Sequence, residues 1–189
     1  MRTSFCPRLR RFAEVARPRI NLQAYQQGIL ERLQHVATDS GAADNARLGI
    51  HAGGQQYLVA LRDIKEVLPV PEIHAVPLVQ PWFLGMCNIR GNLYAVTDLA
   101  RFLGSRHQPA VMTAESRLML VHDDFDINAA FLIDSLAGLR SLGDFKPLEM
   151  VADGPSYITS RHEDDQHHLW EELNMALILE KQEFLQVAA

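Results

Sequence analysis

The chain has 189 residues, of which 48% are hydrophobic and 22% are charged, so it can form one domain or two small ones and is not disordered as a whole. Its formal net charge of −5 at pH 7 argues against a globally basic nucleic-acid-binding protein, because phosphate contacts need clustered cations. No run of 18 apolar residues is present, so no segment is expected to span a membrane as a helix.

The charge is distributed unevenly along the chain. Residues 1–19 contain six arginines and one acid, for a net charge of +5, whereas the rest of the chain carries −10. Because Pro7 and Pro18 interrupt this stretch and it has no apolar periodicity, we predict a disordered basic tail. Residues 20–46 are predicted to form an amphipathic N-terminal helix and a linker. The helix is indicated by apolar residues at intervals of three and four: Leu22, Tyr25, Ile29, Leu33 and Val36.

Short apolar segments separated by glycine and proline follow the linker, and they predict roughly ten β-strands. The first two strands are joined by Gly53-Gly54, which is typical of a tight hairpin turn. A polar connection over 105–116 divides the strands into two groups, and an amphipathic helix is predicted over 176–187. The other predicted elements are strands at 83–89, 93–96, 118–122, 127–133 and 136–142, a single helical turn at 98–103, a loop at 143–156, and late strands at 157–158 and 168–175 that flank a polar segment at 160–168.

The residues from Tyr57 to Gly104 carry an ordered set of motifs. The set is Ile64-x-Glu66-Val67-Leu68, Val76-Pro77, Pro81-Trp82-x-Leu84-Gly85, Asn88-Ile89-Arg90-Gly91-Asn92, Val96-x-Asp98-Leu99 and Leu103-Gly104. In order, spacing and residue type it resembles the CheW-like family, the adapter domain of bacterial chemosensory arrays. The resemblance covers about residues 47–185 and is looser beyond residue 104. Ala95 stands where the family has proline, and this form of the motif, with a leading helix, looks more like the twitching-motility (type IV pilus) branch than the flagellar adapter.

The resemblance implies both a fold and a function. The fold is all-β with terminal helices, in which residues 47–189 form two small five-stranded SH3-like β-barrel subdomains, the first over about 47–104 with C-terminal elements and the second over about 105–170. The implied function is that of a non-catalytic adapter, without a cofactor, in the cytoplasm at receptor arrays. Its partners would be the cytoplasmic tip of a chemoreceptor (a methyl-accepting chemotaxis protein) and the regulatory domain of a CheA-type histidine kinase, with neither nucleic acid nor membrane insertion involved.

The resemblance also implies partner-binding residues within the motif region. If their strands pair, Glu66 and Arg90 form an ion pair beside the receptor-binding groove of the family; the alternative is a solvated surface pair. Asp98 is expected to cap the short helix that follows it, with a partner contact as the alternative. The full set of candidate partner-binding residues is Glu66, Val67, Leu68, Gly85, Asn88, Arg90, Gly91 and Asp98.

An apolar groove is a second expectation in this region. Val67, Leu68, Val70 and Ile73 either line a groove for a receptor helix or belong to the core, and a groove requires at least one of them to be exposed. Trp82 is expected to pack between subdomains rather than to bind a peptide.

A catalytic alternative is a small metal-dependent hydrolase that uses the acidic, histidine-rich segment 161–168. Its spacing matches no known metal-binding pattern, and the adjacent His167 and His168 on a strand would point to opposite faces. We therefore expect a solvated acidic hairpin tip there and assign no catalytic or metal-binding residue. Cys6 and Cys87 are expected to be reduced thiols, and Cys87 has no helix N-terminus or nearby lysine that would activate it as a nucleophile.

Overall fold

The structure is a computed structural model that describes residues 45–149 and 154–189. The predicted basic tail and N-terminal helix lie outside the described residues. None of the helices within the described ranges combines the length and the hydropathy that a bilayer-spanning helix requires.

Within the described ranges the chain forms eleven strands and three short α-helices. The strands are β1 (Ala46–Ala52), β2 (Gln55–Ala60), β3 (Ile64–Pro69), β4 (Phe83–Ile89), β5 (Asn92–Asp98), β6 (Arg117–Val121), β7 (Ala129–Ile133), β8 (Ser135–Ser141), β9 (Lys146–Leu148), β10 (Ile158–Glu163) and β11 (Leu169–Leu173). The helices are α1 (Leu99–Phe102), α2 (Met175–Leu179) and α3 (Gln182–Leu185), and three single 3-10 turns lie at Leu61–Asp63, Asp123–Phe125 and Leu142–Asp144.

The strands assemble into two sheets. One has six strands in the order β8-β1-β2-β11-β10-β9, and the other has five in the order β3-β6-β7-β5-β4. The predicted all-β class is confirmed, and the two sheets fit two small SH3-like subdomains. The predicted boundary between the subdomains is wrong, because the five-stranded sheet takes all its strands from 64–133, whereas the six-stranded sheet combines 46–60 with 135–173.

The hairpin between β1 and β2 forms where the glycine pair predicted it. Gly53 and Gly54 have φ values of 62° and 78°, and Ala52 pairs with Gln55 on either side of them. A two-residue loop with positive φ at both positions is the type I′ turn, whose twist matches that of the flanking strands.

The main core lies between the two sheets. Along β6, Met119 and Val121 contribute to this core, whereas Leu118 and Leu120 contribute to a smaller apolar cluster. Because successive side chains of a strand point to opposite faces, the five-stranded sheet is buried on both faces. The smaller cluster consists of Cys87, Tyr94, Val96, Leu118, Leu120 and Ala130, all of which belong to this sheet.

The C-terminal region differs from its predicted form. The single helix expected over 176–187 is divided into α2 and α3, because Lys181 adopts an extended conformation with φ −62° and ψ 131°. The buried Phe184 of α3 stacks on the ring of Trp82 at a centroid distance of 6.1 Å and on that of Phe131 at 5.6 Å. Trp82 therefore packs in an aromatic cluster, as expected, and this cluster fixes the C-terminal helices on the sheets.

Two predicted loops contain strands. β9 lies within the loop predicted at 143–156, and Ser160 to Glu163 belong to β10 rather than to a polar tip, which is confined to 164–168. Polar residues are accommodated in β10 because they pair across the sheet. The Ser160 hydroxyl contacts His162 Nε2 at 2.7 Å and donates to Glu172 Oε2 at 2.5 Å, and Arg47 Nε donates to Glu172 Oε1 at 2.7 Å.

Candidate partner-binding site

A tight turn between β4 and β5 presents Arg90. Ile89 pairs with Asn92, and the two residues between them, Arg90 and Gly91, have φ values of 52° and 89°, which makes this a second type I′ turn. The Asn88 side chain closes the turn, since its Oδ1 accepts a hydrogen bond from the Gly91 amide at 2.9 Å. Asn88 and Gly91 thus shape the turn, while Arg90 is held in a conformation that is unfavourable for a residue with a side chain.

Arg90 forms a bidentate ion pair with Glu66, as predicted. Its Nη1 and Nη2 donate to Glu66 Oε2 and Oε1 at 2.8 and 2.7 Å. The strands β3 and β4 do not pair; they are the two end strands of the five-stranded sheet, so the ion pair connects opposite edges. Arg90 keeps 75% of its side chain exposed and Glu66 keeps 30%, so the ion pair lies at the surface.

Apolar side chains lie beside this ion pair. Leu68, Ile73, Leu84 and Ile89 are partly buried and pack against the smaller apolar cluster. Leu68 lies two positions from Glu66, and Ile89 is adjacent to Arg90. The four side chains come from the two end strands of the sheet and from the segment between them, and they cover the smaller apolar cluster.

The predicted groove of Val67, Leu68, Val70 and Ile73 is not observed as such. All four side chains are partly buried and none is exposed, so the expectation of an exposed member is wrong. Val67 packs against the main core, whereas Leu68 packs against the smaller cluster. Adjacent strand residues face opposite sides of the sheet, and the two cannot therefore line one groove.

Gly85 is buried inside the sheet edge rather than at the surface. Its φ is 135°, and a Cβ atom added there would lie 2.1 Å from the carbonyl oxygen of His74. His74 pairs with Met86 through two backbone hydrogen bonds of 2.8 and 2.9 Å. The absence of a side chain at Gly85 thus allows the segment after β3 to cover the outer edge of β4.

Asp98 is fully buried at the end of β5. Its Oδ1 accepts a hydrogen bond from the Arg101 amide at 3.2 Å, which confirms the predicted cap of α1, and it accepts a second one from Arg106 Nη2 at 2.8 Å. Both contacts hold the Asp98 side chain inside the protein, where it has no exposed surface. Sequence reasoning missed Arg106, which lies in the polar connection and shows no motif.

Two further titratable groups near the site have perturbed pKa values. A hydrogen bond to Asp123, at 2.6 Å, raises the pKa of Lys65, so this residue adjacent to Glu66 remains a cation. Burial raises the pKa of the Cys87 thiol. A protonated, buried thiol is a poor nucleophile, in agreement with the prediction that Cys87 is inert.

At the histidine-rich tip between β10 and β11, the charged side chains contact one another. His167 Nδ1 contacts Glu163 Oε1 at 2.6 Å, and His168 Nδ1 contacts Asp164 Oδ2 at 3.1 Å. Desolvation would raise the pKa of Asp164, yet hydrogen bonds from the Trp170 indole and from the His168 and Gln166 amides lower it. Among the described residues, no three His, Cys, Asp or Glu side chains are placed to hold a metal ion, so the hydrolase alternative receives no site from this part of the chain.

Three matches to known proteins bear on this chain. The family model for the CheW-like domain matches residues 47–186. The protein PilI of Pseudomonas aeruginosa is 30% identical over 93 residues, which are 49% of this chain and 51% of that protein, so the match spans about half the length of that relative. The scaffolding protein TtCheW of Thermoanaerobacter tengcongensis superposes with a TM-score of 0.61 at 16% identity, over 74% of this chain and 90% of that one, a likeness in fold.

Proposed function

The chain belongs to the CheW-like family and is related to its PilI branch, and from this membership we propose that it is a non-catalytic adapter that links a chemoreceptor to a CheA-type histidine kinase. It would act in the cytoplasm at membrane-associated receptor arrays, in a pathway that controls type IV pilus twitching motility. An adapter of this kind needs two protein interfaces, and two surfaces of the structure have the properties of such interfaces.

The first surface is the Glu66–Arg90 pair with its apolar neighbours, which we assign to the receptor tip. The observation that carries this assignment is an arginine in an unfavourable backbone conformation, φ 52°, whose side chain is 75% exposed. An exposed ion pair adds little stability, so the ion pair itself offsets little of the backbone strain at Arg90. Strained residues persist mainly at functional sites, and a receptor helix could lay its apolar face beside the charged pair.

The second surface is the outer edge of β8, which we assign to the kinase. β8 is an end strand of the six-stranded sheet and pairs only with β1 among the described strands. Its Leu139 and Leu136 lie opposite the buried Leu48 and Ile50, so they share the face of the main core. They are nevertheless 48% and 43% exposed. An unpaired edge with apolar side chains is a template for partner binding.

The experiment is co-purification of the full chain with a receptor tip and with a kinase regulatory domain from the same organism. We expect the wild-type protein to retain both together. Arg90→Gly, which suits the positive φ of the turn, should lose the receptor and keep the kinase. Leu139→Thr, which suits an edge strand, should lose the kinase and keep the receptor.

Matched controls exclude unspecific effects. Lys146→Ala removes an exposed cation from β9, and Leu169→Thr changes a leucine of β11 that is 46% exposed; both should retain both partners. A wild-type protein that binds neither partner contradicts the adapter function. Variants that lose the same partner, or none, contradict the assignment of the two surfaces.

A further inference from the structure

The chain passes from one sheet to the other at Asp134, which lies between β7 of the five-stranded sheet and β8 of the six-stranded sheet. Its backbone amide donates to the carbonyl oxygen of His51 at 2.9 Å. Its Oδ2 accepts a hydrogen bond from the Gly53 amide at 2.7 Å. The crossover residue is therefore tied to the β1–β2 hairpin of the six-stranded sheet.

Arg106 connects this crossover to the other sheet. Its Nη1 donates to Asp134 Oδ1 at 2.7 Å, and its Nη2 donates to Asp98 Oδ1 at 2.8 Å. Asp98 is the last residue of β5 in the five-stranded sheet. Burial would lower the pKa of Arg106, but the hydrogen bonds and charges of Asp134 and Asp98 raise it, so the guanidinium keeps its charge between the two carboxylates.

Backbone contacts hold the same region close together. The amides of Ser105 and Arg106 donate to the carbonyl oxygen of Ala100 at 2.9 and 3.2 Å. A Cβ atom added to Gly53 would lie 2.7 Å from Ser105 Oγ and 2.9 Å from Ala100 Cβ. The hairpin turn of one sheet thus lies directly against α1 and the segment that follows it, next to Arg106.

The hydrogen bonds among Asp98, Arg106 and Asp134 are better suited to fixing the orientation of the sheets than to stabilising the fold. Asp98 Oδ2 and Arg106 Nε are buried without a hydrogen-bond partner among the described residues. Apolar side chains of similar volume often stabilise a protein at least as well as a buried ion network. The apolar core between the sheets is non-directional, whereas a guanidinium that binds two carboxylates fixes their angle as well as their distance.

We propose that Arg106 is a positioning residue that fixes the orientation of the two sheets relative to each other. Asp134 immediately precedes β8, and Asp98 belongs to the sheet that carries the Glu66–Arg90 pair. Under the proposed function, on which this last step rests, Arg106 sets the angle between the receptor surface and the kinase surface.

Residual dipolar couplings of the backbone amides in the full chain test the proposal, because they report the orientation of each sheet in a common frame. In the wild-type protein, one alignment tensor should fit the amides of both sheets. In Arg106→Met the couplings of each sheet should still fit a tensor of their own, but no single tensor should fit the couplings of both sheets. Arg106→Lys, whose ammonium lacks the planar fork, should give an intermediate fit.

A second variant keeps the test decisive if Arg106→Met does not fold. The triple variant Asp98→Asn, Arg106→Met, Asp134→Asn removes the uncompensated buried charges together with the clamp, and it should also lose the common tensor. A merely structural role would lower the melting temperature while one tensor continued to fit both sheets, and that result would overturn the proposal.

A functional arm separates this proposal from the adapter function. In a reconstituted receptor–kinase mixture, the triple variant should retain both partners and lose control of the kinase by the receptor. A wild-type protein that binds neither partner would contradict the adapter function and leave the dipolar-coupling result standing. Normal kinase control by a variant that has lost the common tensor would overturn the link between sheet orientation and signalling.

Discussion

The Glu66–Arg90 pair should contribute little to folding and much to binding, and a double-mutant cycle with Glu66→Ala and Arg90→Ala separates the two effects. Alanine at position 90 retains a Cβ atom, so Arg90→Ala leaves the backbone strain at φ 52° unchanged, whether or not Glu66 is also replaced. The cycle therefore isolates the energy of the pair itself.

The expected magnitude follows from the exposure of the pair. Its two hydrogen bonds of 2.7 and 2.8 Å have good geometry, but Arg90 is 75% exposed, and water screens its charge. Exposed pairs of this kind contribute about 0.2–1 kcal/mol, which for a domain of this size corresponds to a change in melting temperature of roughly 2–4 °C at most. At a partner interface, where water is excluded, loss of the same arginine costs about 2 kcal/mol or more, or roughly 30-fold in affinity.

Stability and affinity are measured on the wild-type protein, the two single variants and the double variant. Urea unfolding, followed by the fluorescence of Trp82 and Trp170, gives the coupling in the free energy of unfolding. Isothermal titration with the receptor tip gives the coupling in affinity. A coupling above about 2 kcal/mol in unfolding, together with unchanged receptor affinity, would refute our reasoning and make the pair a structural one.

Three other predictions concern the framework that supports the site. Gly85→Ala should destabilise the fold by about 3 kcal/mol or more, because its Cβ would lie 2.1 Å from the His74 carbonyl oxygen. Gly91→Ala, with open space around it, should cost only about 1–2 kcal/mol. Chemical denaturation measures both losses of stability, and equal losses would contradict the close approach at Gly85. Burial would raise the pKa of Glu172, but hydrogen bonds from Ser160 and Arg47 lower it below its usual 4.5. Its contribution is therefore present above that pH and lost as the pH falls through the lowered pKa, so Glu172→Gln should flatten the acid limb of a plot of unfolding free energy against pH, and an unchanged acid limb would argue against it. Phe184→Ala should cost about 3–5 kcal/mol because it empties the centre of the aromatic cluster, and Leu185→Ala, at a position 60% exposed, should leave the melting temperature nearly unchanged.

Sequence reasoning succeeds here where structure is determined locally. The Gly53-Gly54 hairpin, the strands on either side of Arg90-Gly91 and the cap at Asp98 depend on residues that are close together in the chain, so turn chemistry and periodicity suffice to predict them. The sequence also predicts the Glu66–Arg90 pair, but on the assumption that the two strands pair, and the family resemblance adds only its link to a binding groove. The structure brings these residues together across the two ends of one sheet, which no local pattern indicates.

The errors arise from contacts between distant parts of the chain. The parallel pairing of β11 with β2 and of β5 with β7 determines which strands share a sheet, and it overrides the grouping suggested by the polar connection at 105–116. Ser160 and His162 look like loop residues in the sequence, but in the fold they contact each other and Ser160 donates to Glu172, whose other oxygen accepts from Arg47. Arg106 belongs to the same class, since its role depends on two carboxylates that only the folded chain brings near it.

The division of the strands between the sheets determines the order in which the protein can mature on the ribosome. All strands of the five-stranded sheet lie between Ile64 and Ile133, so all of them have been synthesised before β8 begins. The β1–β2 hairpin is made earlier but remains incomplete, because β2 must await β11, where Trp170 pairs with Gln56. Such long-range parallel pairing is slow. Vectorial synthesis therefore supplies every strand of the five-stranded sheet before the β8 edge of the six-stranded sheet is made.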